Sequence, residues 1–212
     1  MITIPWDQIE KSQTPNITPG KYRKNLSNNL LDNKFVKQHI LGLSILFTAQ
    51  GIPFIQYGSE FLKTKQGDHN SYKSTDEVNS IKWSDKSDFI DVFNYLKGLI
   101  EIRKTLPHFT IGDAGIIKNK AKFTFANNEN SGVIINHIDL SDYNEGEVIV
   151  IYNATSINDY DVNSYIPTSK TGYWNIIAND KVSGIKTLEK VNCNEVPKLN
   201  SYSIMILCNK EI

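Results

Sequence analysis

A chain of 212 residues with 40% apolar side chains is long enough for one large domain or two small ones, and it can supply a core. Its 23 basic and 23 acidic side chains cancel, so no global field recruits nucleic acid or an anionic membrane, and the expected partner is uncharged. No apolar run approaches the roughly 18 residues that span a bilayer, and the opening "MITIPWDQIEKS" lacks the basic-then-apolar order of an export signal.

In chain order, the first strong pattern is "DNKFVKQHILGLSILFTAQG", where Val36, Ile40, Leu43 and Phe47 share one helical face and Gly51 stands where a helix-terminating glycine belongs. The run "IPFIQY", Ile52 to Tyr57, is too short for a helix and too apolar for a surface strand, so it reads as a buried parallel strand. A second helix is predicted in "SDFIDVFNYLKGLIEIRKTLP". Tyr95, Leu99, Ile102 and Leu106 line its face, Asp88 and Asp91 favour its start, Arg103 and Lys104 its end, and Pro107 stops it.

After Pro107 the helical period vanishes. Short runs of β-formers follow: "GIIK", "AKFTFA", "GVIINHI", "GEVIVIYNA", "YDVNSYI", "GYWNIIA", "GIKTLEKV" and "SYSIMILC". With the turn-rich "NNENSG" and "SDYNEGE" between them, they predict an antiparallel sandwich of about eight strands. A boundary is placed at about residues 107 to 112, and the two parts are expected to separate, the second holding a core alone and the first aggregating or staying molten. Cys193 and Cys208 lack metal-ligand spacing and are expected as free thiols, a single disulfide being the alternative.

Between the predicted strand and the second helix lies a polar loop, Gly58 to Ser87, of about 30 residues, where βα loops usually have 2 to 6. Asp68, His69, Asn70, Ser71, Tyr72, Asn79 and Trp83 give it donors, acceptors and flat aromatic faces, as a sugar site needs. The competing reading is a merely solvated loop. Asp68 and His69 form an adjacent pair without metal-ligand spacing, and no phosphate-binding, serine-hydrolase or zinc-ribbon motif is present.

The ten residues "GIPFIQYGSE" carry Gly51, Pro53, Gly58 and Glu60 in a G-x-P-x-x-x-x-G-x-E pattern that resembles the eighth barrel strand of the α-amylase superfamily of glycoside hydrolases. The continuation "EFLKTKQGDHNSYKSTDEVNSIKW" and then "VFNYLKGLIEIRKTLPHF" resembles the end of the barrel of a type I pullulanase, an α-1,6-glucan debranching enzyme. "VIVIYNAT", "GYWNIIAND" and "VPKLNSYSIMIL" are similar to its C-terminal β-sandwich. The implied fold is the terminal part of a (β/α)8 barrel over residues 1–109, followed by an antiparallel β-sandwich over 110–212.

The resemblance also implies a retaining glycosidase, which needs a carboxylate nucleophile and a carboxylic acid about 5 to 5.5 Å apart. "WDQIEKS" resembles the segment just downstream of the family's His-Asp motif, so the family's catalytic carboxylates are expected upstream of Met1. No residue here is therefore assigned to catalysis. Asp7, Glu10, Glu60, Asp68, Asp76 and Glu77 are carboxylates by type only, and Glu60 is expected as a structural hydrogen-bonding group. The chain is expected to be a C-terminal fragment, inactive alone, whose partners are α-glucans (pullulan, glycogen or starch oligosaccharides) and the missing N-terminal part. No cofactor, metal, nucleic acid or membrane is expected. Asn70, Ser71 and Tyr72 match the family loop that lines the glucan cleft and are the expected substrate-binding residues. Trp6 and Trp83 are candidate platforms, packing roles being the alternative. Ser59, and Gln56 with Tyr57, depart from the common family residues and bear on fine subsite geometry. The alternative function is a non-catalytic carbohydrate-binding or scaffold protein.

Overall fold

A computed structural model describes residues 30–65, 68 and 70–210. A 3-10 turn at Leu30–Asp32 leads into helix α1, Lys34–Thr48. The Asn33 side chain caps it by accepting from the Phe35 N–H at 3.0 Å and the Val36 N–H at 3.4 Å. The predicted face is buried: Val36, Ile40, Leu43 and Phe47 all lie in the core.

Beyond α1 the reading of "IPFIQY" as a buried strand is corrected. No strand forms there; Ile52 is 95% and Phe54 86% exposed, while Pro53 and Ile55 turn partly inward. The side chains alternate as a strand's would, but none of the described residues offers a ladder partner to 52–56, and a strand without a ladder is only a stretch of chain. Two short helices follow, α2 (Asp76–Asn79) and α3 (Ser84–Asp88), and then the long α4, Ile90–Thr105. Tyr95, Leu99 and Ile102 are buried on its predicted face, and Pro107 opens a 3-10 turn.

The segment "GIIK", expected as a strand, lies instead in helix α5, Ala114–Lys120. The Asp113 carboxylate accepts from the Ile116 N–H at 2.9 Å, and Lys118 and Lys120 lie in the last turn, so an N-cap and cations favourable to the helix dipole outweigh the β-propensity of two isoleucines. Six strands complete the chain: β1 Ala121–Phe125, β2 Val133–Leu140, β3 Gly146–Asn153, β4 Tyr173–Ala178, β5 Glu189–Asn192 and β6 Ser203–Cys208. They form one antiparallel sheet in the order β1-β2-β3-β6-β4-β5. "YDVNSYI" adds only an isolated bridge, Tyr160 to Leu199, and a 3-10 turn at Asn163–Tyr165.

The observed architecture is therefore helices plus one six-stranded antiparallel sheet, where about eight strands in a sandwich were expected. One face of the sheet packs on α1 and α4; its cluster joins Val36, Phe47, Leu99 and Ile102 to Val148, Val150, Ile204 and Ile206. The other face is covered by irregular segments, which lay Val162, Ile166, Val196 and Leu199 over Ile135, Ile149 and Trp174. Asn163 shows how an irregular cover satisfies its backbone: its amide donates to the Val196 carbonyl at 3.0 Å and its oxygen accepts the Val196 N–H at 2.9 Å.

The two parts expected to separate share the first of these cores. Thr48 Oγ1 and Tyr152 Oη lie 2.7 Å apart across it, and Tyr95 donates to the Asn179 carbonyl at 2.6 Å. Gly98 of α4 lies so close to Ser183 that a Cβ there would sit 2.0 Å from its carbonyl oxygen. Cys193 and Cys208 are free and buried, and burial pushes the Cys208 thiol up to about 11. Among the described residues no helix is long and apolar enough to cross a membrane.

Candidate functional site

The loop from Gly58 begins with a turn only glycine can make. Gly58 has φ of 86°, and a Cβ there would meet Lys63 Cβ at 2.4 Å. The Gly58 carbonyl accepts from Phe61 N–H at 3.2 Å and Lys63 N–H at 2.8 Å, closing a 3-10 turn at Ser59–Phe61. His39 of α1 holds the turn from below: its Nε2 lies 2.7 Å from the Ser59 carbonyl and must donate, since a carbonyl only accepts. Burial lowers the pKa of His39, which keeps it neutral near pH 7. Glu60 Oε2 is buried with no hydrogen-bond partner among the described residues, so the structural bond expected of Glu60 is not made by that oxygen.

Past the turn, one residue that the sequence reading treated only as a ligand donor organises the loop. The Asn79 amide donates to the Ser71 and Ser74 carbonyls, each at 2.8 Å, while its side-chain oxygen accepts from Lys65 Nζ at 2.6 Å. Its own carbonyl accepts from Tyr57 Oη at 2.9 Å and Lys63 Nζ at 2.5 Å. Lys63 Nζ also lies 4.0 Å from the centroid of the Tyr57 ring, and the Lys63 hydrogen bond lowers the pKa of that exposed phenol. The polar groups of Asn79 are thus committed to shape. A short side chain able to donate and accept at once, between turn residues, is the signal that would have found it.

Asn79 holds Asn70, Ser71 and Tyr72 in place. Asp68 forms the local turn that presents them: its carboxylate accepts from the Asn70 N–H at 3.0 Å and from the Ser74 hydroxyl. Ser71–Lys73 make a 3-10 turn, so the Asn70 and Tyr72 side chains point off a tight corner; Asn70 is exposed and Tyr72 is 74% exposed. Ser71 is half-buried, and its carbonyl is already engaged by Asn79. The three residues are therefore contiguous on one corner, the Asn70 and Tyr72 side chains exposed and Lys73 Nζ 5.3 Å from the centroid of the Tyr72 ring. Trp83 is 69% exposed, its ring centroid 6.0 Å from that of Phe61. Asp76 and Glu77 are exposed in the first turn of α2. Trp6, Asp7, Glu10 and His69 lie outside the described residues.

No three His, Cys, Asp or Glu side chains among the described residues group as metal ligands would. A groove of about 490 Å³ lies on the β4–β5 hairpin, lined by Thr171, Tyr173, Lys190, Asn192 and Glu195. None of the loop residues lines it, and Lys190 Nζ covers the Tyr173 ring 3.5 Å from its centroid.

No family profile matches the chain. A curated relative, the pullulanase of Bacillus subtilis (strain 168), is 38% identical over 87 residues, which is 41% of this chain and 12% of that protein. Among solved structures, the pullulanase from Bacillus acidopullulyticus is 28% identical with a TM-score of 0.68, covering 89% of this chain and 22% of that one. The pullulanase from Anoxybacillus sp. LM18-11, solved in complex with maltotetraose, is 24% identical with a TM-score of 0.69; the match covers 89% of this chain and 26% of that one. The chain thus spans about an eighth of the curated relative's length and about a quarter of those structures. In sequence and in fold it is pullulanase-like.

Proposed function

We propose that this pullulanase-like chain is the glucan-contacting C-terminal portion of a debranching glycoside hydrolase, acting on α-1,6-glucosidic bonds in pullulan, glycogen or starch. Residues 1–109 would belong to its catalytic barrel and residues 110–212 to its C-terminal β-domain. The observation that carries the reading is the corner at residues 70–72, where Asn79 and Asp68 preorganise the backbone and leave an amide and a phenol ring facing solvent. Preorganisation matters because a loop ordered before binding does not spend ligand affinity on its own ordering. An amide hydrogen-bonds vicinal hydroxyls, and a tyrosine ring covers the apolar face of a sugar.

The loop's own carboxylates support a binding role rather than a cleaving one. Asp68 is committed to the turn, and Asp76 and Glu77 stand in the first turn of a surface helix. Bond cleavage would fall to an acid and a nucleophile elsewhere in the enzyme. The apolar side chains of Ile52 and Phe54 would then be covered by the remainder of that enzyme. Calorimetry with maltotetraose and a reducing-sugar assay with pullulan test the reading together. The full chain is expected to bind maltotetraose, Asn70→Ala and Tyr72→Ala are each expected to weaken it, and no sugar is released above a boiled control. Turnover abolished by removing any one carboxylate of this chain would overturn the division of labour. Binding untouched by both substitutions would overturn the site.

A further inference from the structure

Trp83 is the next aromatic residue after Tyr72 along the same loop. Its ring is 69% exposed but anchored: it lies against the ring of Phe61, centroids 6.0 Å apart and planes tilted by 46°, and Phe61 itself is 1% exposed. Its backbone is fixed as well, since Trp83 stands at the start of α3 with its carbonyl accepting from the Lys86 N–H at 3.2 Å. The indole is thus braced on one side and offers the rest of its surface to water.

Leaving so much of the largest aromatic side chain wet forgoes the burial that usually fixes it. Its surroundings narrow what could cover it. Ser80, Lys82 and Ser84, its near neighbours in the chain, are exposed and polar, and Ile81 between them is half-buried. A single flat apolar surface with a polar surround complements a pyranose ring, whose C–H face is apolar and whose rim carries hydroxyls.

We infer that Trp83 is a saccharide-stacking position, taking one glucose ring of an α-glucan whose neighbouring part contacts Asn70 and Tyr72 on the same loop. The inference rests on the glucan reading of the loop and adds a second contact to it. Phe61 acts as the positioning residue, fixing the indole's tilt from below.

The test titrates maltotetraose into the full ¹⁵N-labelled chain and follows the indole N–H resonances of its three tryptophans, assigned by substitution. The Trp83 resonance should move together with the backbone amides of Asn70 to Tyr72, while the Trp174 resonance, from a ring 0% exposed, stays in place and reports an intact fold. Trp83→Ala should weaken binding about three- to tenfold, the scale of one aromatic contact, and Trp83→Phe should recover part of that loss. If the amides at 70–72 shift and the Trp83 indole does not, the inference is overturned and the glucan reading stands. If no resonance shifts, both fall.

Discussion

Two glycines in two packed helices should respond in opposite directions to the same substitution, and the sign at each follows from what a methyl group would meet. At Gly42 in α1 nothing lies within 4 Å of a built Cβ, so Gly42→Ala gains only the helix preference of alanine, about 0.5–1 kcal/mol. At Gly98 in α4 the same methyl would lie 2.0 Å from the Ser183 carbonyl oxygen, 2.4 Å from its carbon and 2.5 Å from its hydroxyl. Two of those atoms are backbone, and Ser183 is further tied by its bridge to Ala178 and its hydroxyl bond to the Tyr95 carbonyl. Relief requires moving the 179–184 turn off the helix, which costs about 1–3 kcal/mol as overpacking and about 1 kcal/mol more as the Tyr95 bond is lost. That exceeds the propensity gain, so Gly98→Ala is expected to be destabilising by about 1–3 kcal/mol net. For a chain of 212 residues each kcal/mol is worth about 2–4 °C. Thermal melts followed by circular dichroism should place Gly42→Ala a few degrees above the parent and Gly98→Ala several degrees below it. A Gly98→Ala melt at or above the parent's would refute the docking of α4 against this turn, and with it the single core shared by the two parts of the chain.

Other expectations come from single polar groups. Arg103 is 7% exposed and donates to the carbonyls of Phe47 at 2.8 Å, Ala49 at 2.6 Å and Gly51, closing the end of α1; burial lowers its pKa. Arg103→Lys cannot reproduce that planar fork and should cost about 2–3 kcal/mol in urea denaturation, a loss under about 0.5 kcal/mol being the contrary result. Asn79→Ala should speed amide exchange across residues 71–80 about tenfold or more while leaving α4 protected, because its bonds are local to the loop; unchanged exchange would remove Asn79 from its assigned role. Burial opposes ionisation of Asp139, but hydrogen bonds from Ser141 and Lys170 outweigh it and hold the carboxyl well below the ordinary aspartate range. A depressed carboxyl stabilises fully above its unfolded pKa of about 4 and loses that contribution as pH falls further. Asp139→Asn should therefore cost about 0.5–1 kcal/mol at pH 7 and less at pH 3, and an equal cost at both would contradict the assignment.

How much was legible differs by element, for physical reasons. The faces of α1 and α4 were readable because burial recurs at the helical period whatever lies opposite, and Val36, Ile40, Tyr95 and Ile102 needed no knowledge of their partners. Five of the six strands were readable as runs of β-formers between turn residues, β3, β4 and β6 being buried along nearly their whole length because both faces of the sheet are covered, and β5 overlapped the end of the longer run "GIKTLEKV". "GIIK" was misread because two β-branched residues were weighed without the Asp113 that caps them from outside the run. "YDVNSYI" failed differently: its apolar residues are buried as expected, yet Asn163 supplies by side chain the bonds that a neighbouring strand would have supplied. At the candidate site, the motif resemblance pointed to Asn70, Ser71 and Tyr72 and did not single out Asn79, because two of its partners are the Ser71 and Ser74 carbonyls and a sequence does not show where carbonyls point.

The segment 52–57 carries this argument furthest. Its composition specifies a strand, and its side chains do alternate, with Pro53 and Ile55 inward and Ile52 and Phe54 outward. What composition cannot specify is the ladder, because half of every ladder bond belongs to another segment. The same holds for Glu60, a few residues on, whose buried oxygen lacks a donor among the described residues. On the proposed reading, the exposed apolar side chains and the buried oxygen without a partner among the described residues would both face the remainder of the enzyme, at an element apolar along the segment and hydrogen-bond donating at its end. A neighbour of that chemistry would bury two of the most exposed apolar side chains among the described residues and satisfy the Glu60 oxygen together.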